Sequence, residues 1–125
     1  MSEKGPPSIL VVDDDKNQRS MLAFALSDRG YRVVSVESGA LAIESVKKEK
    51  FDAVICDIMM PGVNGVAALA QLKKAQPGLK VIMATAYATT ALAAASMKGG
   101  ATGYIAKPYD LKELFAMLDT ALSGP

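Results

Sequence analysis

Along the chain, short apolar runs rich in β-branched residues alternate with longer stretches whose apolar positions recur at helical spacing. The runs are Ile9 to Val12 (ILVV), Arg32 to Val36 (RVVSV), Ala53 to Cys56 (AVIC), Val81 to Ala84 (VIMA) and Tyr104 to Ala106 (YIA). Near-continuous apolar runs of this kind suit strands covered on both faces. Of the helical stretches the last is the clearest: Leu111, Leu114, Phe115, Leu118 and Leu122 fall on one face, and Asp110 stands where an N-cap belongs. Met21, Leu22, Ala25 and Leu26 repeat the pattern, with Gly30 as its C-terminal stop. Ala42, Ile43 and Val46 form a weaker stripe, and Val66, Leu69 and Leu72 another before the break at Pro77-Gly78. The fourth stretch, TTALAAASMKGG, is mostly alanine. Its helix propensity is high, but it has little large apolar surface to anchor it, so it is the helix expected to move.

Strict alternation of strand and helix predicts an α/β fold: a single doubly wound sheet of five parallel strands, with right-handed crossovers and five helices divided between its faces. The strand order expected of such a sheet is 2-1-3-4-5. Residues 1–8 read as a flexible lead-in, 9–122 as one domain and 123–125 as a short tail, with no internal repeat or linker.

The ends of the strands carry the chemistry. The first run is followed by Asp13, Asp14 and Asp15, the third by Asp57, the fourth by Thr85 and the fifth by Lys107-Pro108. In an open parallel sheet all the carboxyl ends share one edge, and ligands bind in the crevice where the strand order reverses, here between strands one and three. Carboxylates gathered there would repel one another unless a cation sat among them. A hard divalent ion answers that need, and Mg²⁺ suits a shallow site of few carboxylates with room for water and phosphate oxygens. With Lys107 as a fixed positive charge and Thr85 as a donor, the crevice suits the equatorial oxygens of a phosphoryl group, and Asp57 is the available nucleophile.

Composition narrows the alternatives. The chain has 125 residues, 50% of them hydrophobic, with 14 basic and 13 acidic side chains. One core is expected, and no net field draws the domain to nucleic acid or to a membrane surface. Histidine is absent, which removes Ser-His-Asp and Cys-His pairs and histidine metal ligands. Cys56 is the single cysteine, so no internal disulfide can form, and its plain reading is a small apolar strand residue. The apolar start ILVV is too short for a signal-peptide core or a membrane span, and a cytoplasmic setting is expected.

The segments ILVVDDD, VICDIMMPGVNG, VIMATAY and GYIAKPYD resemble, in order and spacing, the response-regulator receiver domain of two-component signalling, over roughly Ser8 to Leu122. That resemblance implies the flavodoxin-like receiver fold, with Asp57 as phosphoacceptor, Asp14 as a direct Mg²⁺ ligand, Asp13 acting through bound water and the Met59 backbone carbonyl completing the protein ligands. It implies that Thr85 and Lys107 hold phosphoryl oxygens, that Pro108 follows a cis bond, and that Tyr104 is the switch aromatic. It implies too that Met59 and Tyr87 border the path of the hydrolytic water, and neither offers an acidic group or carboxamide to orient it. The implied partner is a sensor histidine kinase or a histidine phosphotransfer protein, with an output domain or effector downstream. The role is a signalling switch that assists only its own phosphorylation and slow dephosphorylation, not an enzyme. Gly103 and Met117 replace the acidic residue and arginine used by the symmetric winged-helix regulator dimer, so a mainly monomeric unphosphorylated domain is expected.

Two other classes fit parts of the pattern. A haloacid-dehalogenase-like phosphatase would use Asp13 and Asp15 as its Asp-x-Asp pair, but Asn17 stands where threonine or valine is usual. A flavodoxin-like cofactor carrier would need a Ser/Thr/Gly phosphate loop after strand one, where three aspartates stand instead.

Overall fold

The computed structural model describes residues 5–57, 59–60, 63–86 and 90–123. In chain order its elements are β1 (Ser8–Val12), α1 (Lys16–Asp28), β2 (Arg32–Val36), α2 (Gly39–Lys48), β3 (Ala53–Asp57), α3 (Gly65–Ala75), β4 (Lys80–Thr85), α4 (Thr90–Lys98), β5 (Gly103–Ala106) and α5 (Leu111–Ser123). The five strands form one parallel sheet in the order β2-β1-β3-β4-β5. Strand ends differ from the apolar runs by a residue or so, because hydrogen-bond pairing carries β1 back to Ser8, β4 out to Lys80 and Thr85, and β5 back to Gly103. A two-residue antiparallel ladder, Met59–Met60 with Val63–Asn64, follows β3 and was not visible as an apolar run.

Side chains alternate across the sheet with period two, which splits the core into two layers. Leu10, Val12, Val54, Cys56, Val81 and Met83 face one side, where Ala42 and Val46 of α2 and Leu69 and Leu72 of α3 cover them. Ile9, Val11, Ala53, Ile55, Ile82, Ala84 and Ile105 face the other, covered by Leu22 and Leu26 of α1 and Leu114 and Leu118 of α5. Both layers are closed, which is why the strands read as unbroken apolar runs. Asp15 caps α1, its carboxylate accepting from the Asn17 and Gln18 amides at 2.8 and 3.2 Å. Asp110 caps α5 in the same way through Lys112 and Glu113. After α1 the chain turns at Gly30, whose φ of 97° lies in the left-handed region that glycine enters without steric cost.

Register aligns the functional edge. Val12 pairs with Cys56, Asp57 with Ala84, and Thr85 with Ala106. The next residues along, Asp13 and Lys107, therefore emerge beside Asp57 at one end of the sheet.

Candidate functional site

Asp13 is wholly buried just beyond β1 and is held from several sides. Its amide donates to the Val36 carbonyl at 3.2 Å, its own carbonyl accepts from Arg19 Nη1 at 2.8 Å, and its Oδ1 accepts from the Asp15 amide at 2.9 Å. Oδ2 lies 2.7 Å from Lys107 Nζ. This contact is an ion pair without directional hydrogen-bond geometry. Asp57, also buried, accepts a hydrogen bond from Lys107 Nζ at Oδ2, 2.9 Å away. One ammonium thus bridges two buried carboxylates. Burial pulls the lysine toward its neutral form, but the close contacts and charges of Asp13 and Asp57 outweigh it and raise its pKa above the ordinary value.

Asp14 is exposed at the mouth, and single oxygens of Asp13, Asp14 and Asp57 all lie within 4.8 Å of one another. An all-oxygen set of three carboxylates balanced by one lysine suits a hard divalent cation. Thr85 is buried at the end of β4, and its carbonyl accepts from the Lys107 amide at 2.9 Å, which fixes the strand end that presents the ammonium. The Lys107-Pro108 peptide bond is cis, in agreement with expectation. Tyr104 is half-buried against the α2/α3 layer, with its hydroxyl enclosed. Asp15 does not serve as the second acid of a phosphatase pair, since its carboxylate is engaged as the α1 cap. Gly103 and Met117 lie against each other: a Cβ at Gly103 would stand 3.4 Å from Met117 Sδ. The Met59 side chain and Tyr87, assigned to hydrolysis tuning, lie outside the described residues.

Sequence reasoning missed Tyr109. Its ring packs in the α1/α5 layer with Lys107 Nζ 5.9 Å from its centroid. Burial and then the charges of Asp13 and Asp57 push its hydroxyl pKa upward. The only signal was its place two residues after Lys107. Cys56 fits its plain reading as a buried strand residue, and burial, followed by the charges of Asp57 and Asp13, pushes its thiol up to about 12.

Comparison with known proteins decides the family. The model of the "Response regulator receiver domain" matches residues 9–119. The chain belongs to the response regulator receiver family. This receiver domain is 39% identical over 115 residues to transcriptional regulatory protein ZraR of Escherichia coli (strain K12), an alignment covering 92% of this chain and 26% of the relative. It is 38% identical over 110 residues to transcriptional regulatory protein TcrA of Mycobacterium tuberculosis (strain ATCC 25618 / H37Rv), covering 88% of this chain and 44% of that one. The chain thus spans about a quarter of the length of the first of these relatives. Among solved structures, a response regulator from Burkholderia pseudomallei superposes with a TM-score of 0.86 at 32% identity, covering 94% of this chain and 69% of that one. That structure carries a phosphorylated aspartic acid, a calcium ion and citrate. A receiver domain protein from Methanospirillum hungatei superposes with a TM-score of 0.91 at 29% identity and 95% coverage of both chains. The receiver domain holds an acidic pocket of the kind that binds divalent metal. No helix among the described residues is long and apolar enough to cross a membrane.

Proposed function

We propose that Asp57 is the phosphoacceptor, receiving a phosphoryl group from the phosphohistidine of a sensor kinase or phosphotransfer protein, or from a small acyl phosphate. The observation that carries this reading is the buried Asp57 carboxylate at the end of β3, 2.9 Å from the Lys107 ammonium and grouped with Asp13 and Asp14. One carboxylate oxygen attacks phosphorus, and the P–N bond of a phosphohistidine breaks with its electron pair leaving on the imidazole, or the P–O bond of an acyl phosphate breaks with its pair leaving on the carboxylate. The product is a mixed anhydride on Asp57. Asp13, Asp14, Asp57 and the Met59 carbonyl would hold Mg²⁺, which supplies charge neutralisation for the phosphoryl oxygens. Lys107, already poised between two carboxylates, pairs with a phosphoryl oxygen once Asp57 is phosphorylated, and the Thr85 hydroxyl donates to another.

The consequence is a switch, not turnover of an external substrate. The phosphoryl group biases an equilibrium between two arrangements of α4, β5 and α5, with Tyr104 following Thr85. An output domain or separate effector reads that surface, and the unphosphorylated domain is mainly monomeric in the cytoplasm. The test is titration with beryllofluoride and Mg²⁺, followed by NMR. Resonances of α4, β5 and α5 should shift in the wild type and stay fixed in Asp57→Asn; an equal response in both would reject the assignment.

A further inference from the structure

Among the described residues, two hydroxyls are buried without a hydrogen-bond partner near the β4–β5 side of the sheet. Ser96 on α4 is 0% exposed and its Oγ meets no donor or acceptor; the Tyr104 hydroxyl on β5, the strand α4 contacts, is enclosed in the same condition. Such a group gave up its water on burial and received nothing in exchange. Ser96 matters more because of its helix. Among the described side chains of α4 it is the one that is fully buried, while Ala91, Ala94, Ala95 and Met97 face solvent. The fully buried described side chain of α4 is therefore a stranded hydroxyl, where α1, α3 and α5 bury leucines.

The far end of α4 is firmly held. The Ser96 carbonyl accepts from the Ala101 amide at 3.0 Å, Gly100 turns the chain at a φ of 100°, and Gly99 approaches α3 so closely that a Cβ would stand 3.0 Å from Leu69 Cδ2. The helix is pinned at its C-terminal end.

We infer that Ser96 makes the seat of α4 shallow. Docking strands its hydroxyl, opening hydrates it, and the cost of moving the helix falls by that difference. The use of the movement rests on the phosphoryl switch proposed above; the seat itself does not.

The test is native-state amide hydrogen exchange of the unphosphorylated chain, resolved by NMR. Ser96→Ala should slow exchange of the α4 amides by about fivefold or more. Alanine is also the better helix former, so the exposed exchange Ala94→Ser calibrates propensity alone, at about twofold. Tyr104→Phe should also slow α4 exchange, without changing the helix sequence. If Ser96→Ala gains no more than Ala94→Ser loses, or exchanges faster than wild type, the hydroxyl is satisfied in solution, for instance by the carbonyl one turn back, and the inference falls. Because no phosphoryl donor is present, slowed exchange supports the shallow seat on its own. A wild type that ignores beryllofluoride would instead overturn the role of Asp57.

Discussion

Replacing Lys107 with methionine keeps the length of the side chain and removes its charge. The lysine sits 2.7 Å from Asp13 and 2.9 Å from Asp57 with its side chain 13% exposed. At an effective dielectric of about 20, each contact carries roughly 6 kcal/mol of Coulomb attraction. Desolvation of the ammonium offsets much of this, and removing one member of a buried pair costs about 3–5 kcal/mol. Exposed Asp14 lets water reach the mouth, so the lower figure applies. With a urea dependence of about 2 kcal/mol per molar, a loss of about 3 kcal/mol lowers the unfolding midpoint by roughly 1.5 M. Mg²⁺ at about a hundredfold excess over its dissociation constant should restore about 2.7 kcal/mol by binding the folded state. It should restore more to Lys107→Met than to wild type, because the ion then meets carboxylates without a competing ammonium. Urea titrations of both proteins, in chelator and in Mg²⁺, read all four values. A midpoint shift below roughly 0.3 M in chelator, or the same shift with and without Mg²⁺, would refute the bridging role of Lys107.

Three further outcomes are expected. Burial pushes the Cys56 thiol up to about 12, against about 8.5 for an unfolded chain, so the native state keeps a proton that the unfolded state releases. Its contribution is complete below about pH 8.5 and is lost as pH rises toward 12; urea midpoints should fall over that window less steeply in Cys56→Ala, and an identical slope would contradict the assignment. Asp14→Ala should weaken Mg²⁺ binding by at least about tenfold while leaving the Lys107 bridge intact, measured by calorimetry, and unchanged affinity would remove Asp14 from the ligand set. If the residues at positions 59 and 87 limit water access to phospho-Asp57, the wild-type phosphoryl group should persist for minutes or longer, and Met59→Asn with Tyr87→Glu should shorten phosphate release by roughly tenfold, with no acceleration counting against that role.

The sheet, its order and its acidic edge could be read from sequence because burial on both faces leaves an unbroken apolar run, and a polar residue ending such a run must face the open edge. Asp57, Asp13 and Lys107 were all found that way. The bridge to Asp13 was not, since it depends on how far the β5 end stands from the β1 end, and linear spacing does not encode that distance. Tyr109 was missed because an aromatic two residues past Lys107 could face solvent as readily as the α1/α5 layer. Ser96 was hidden for a related reason: a helix of alanines has no apolar stripe to tell which side meets the sheet. Asp110, by contrast, was correctly expected to cap α5, because capping is local and depends on neighbours in sequence.

The central claim is that Asp57 receives the phosphoryl group. Incubating the domain with acetyl phosphate and Mg²⁺, then trapping the anhydride and locating the modified residue by peptide mass spectrometry, tests it most directly. The account predicts one phosphoryl group per chain on Asp57 and none in Asp57→Asn, whereas modification at another residue, or equal labelling of the Asp57→Asn protein, would contradict it.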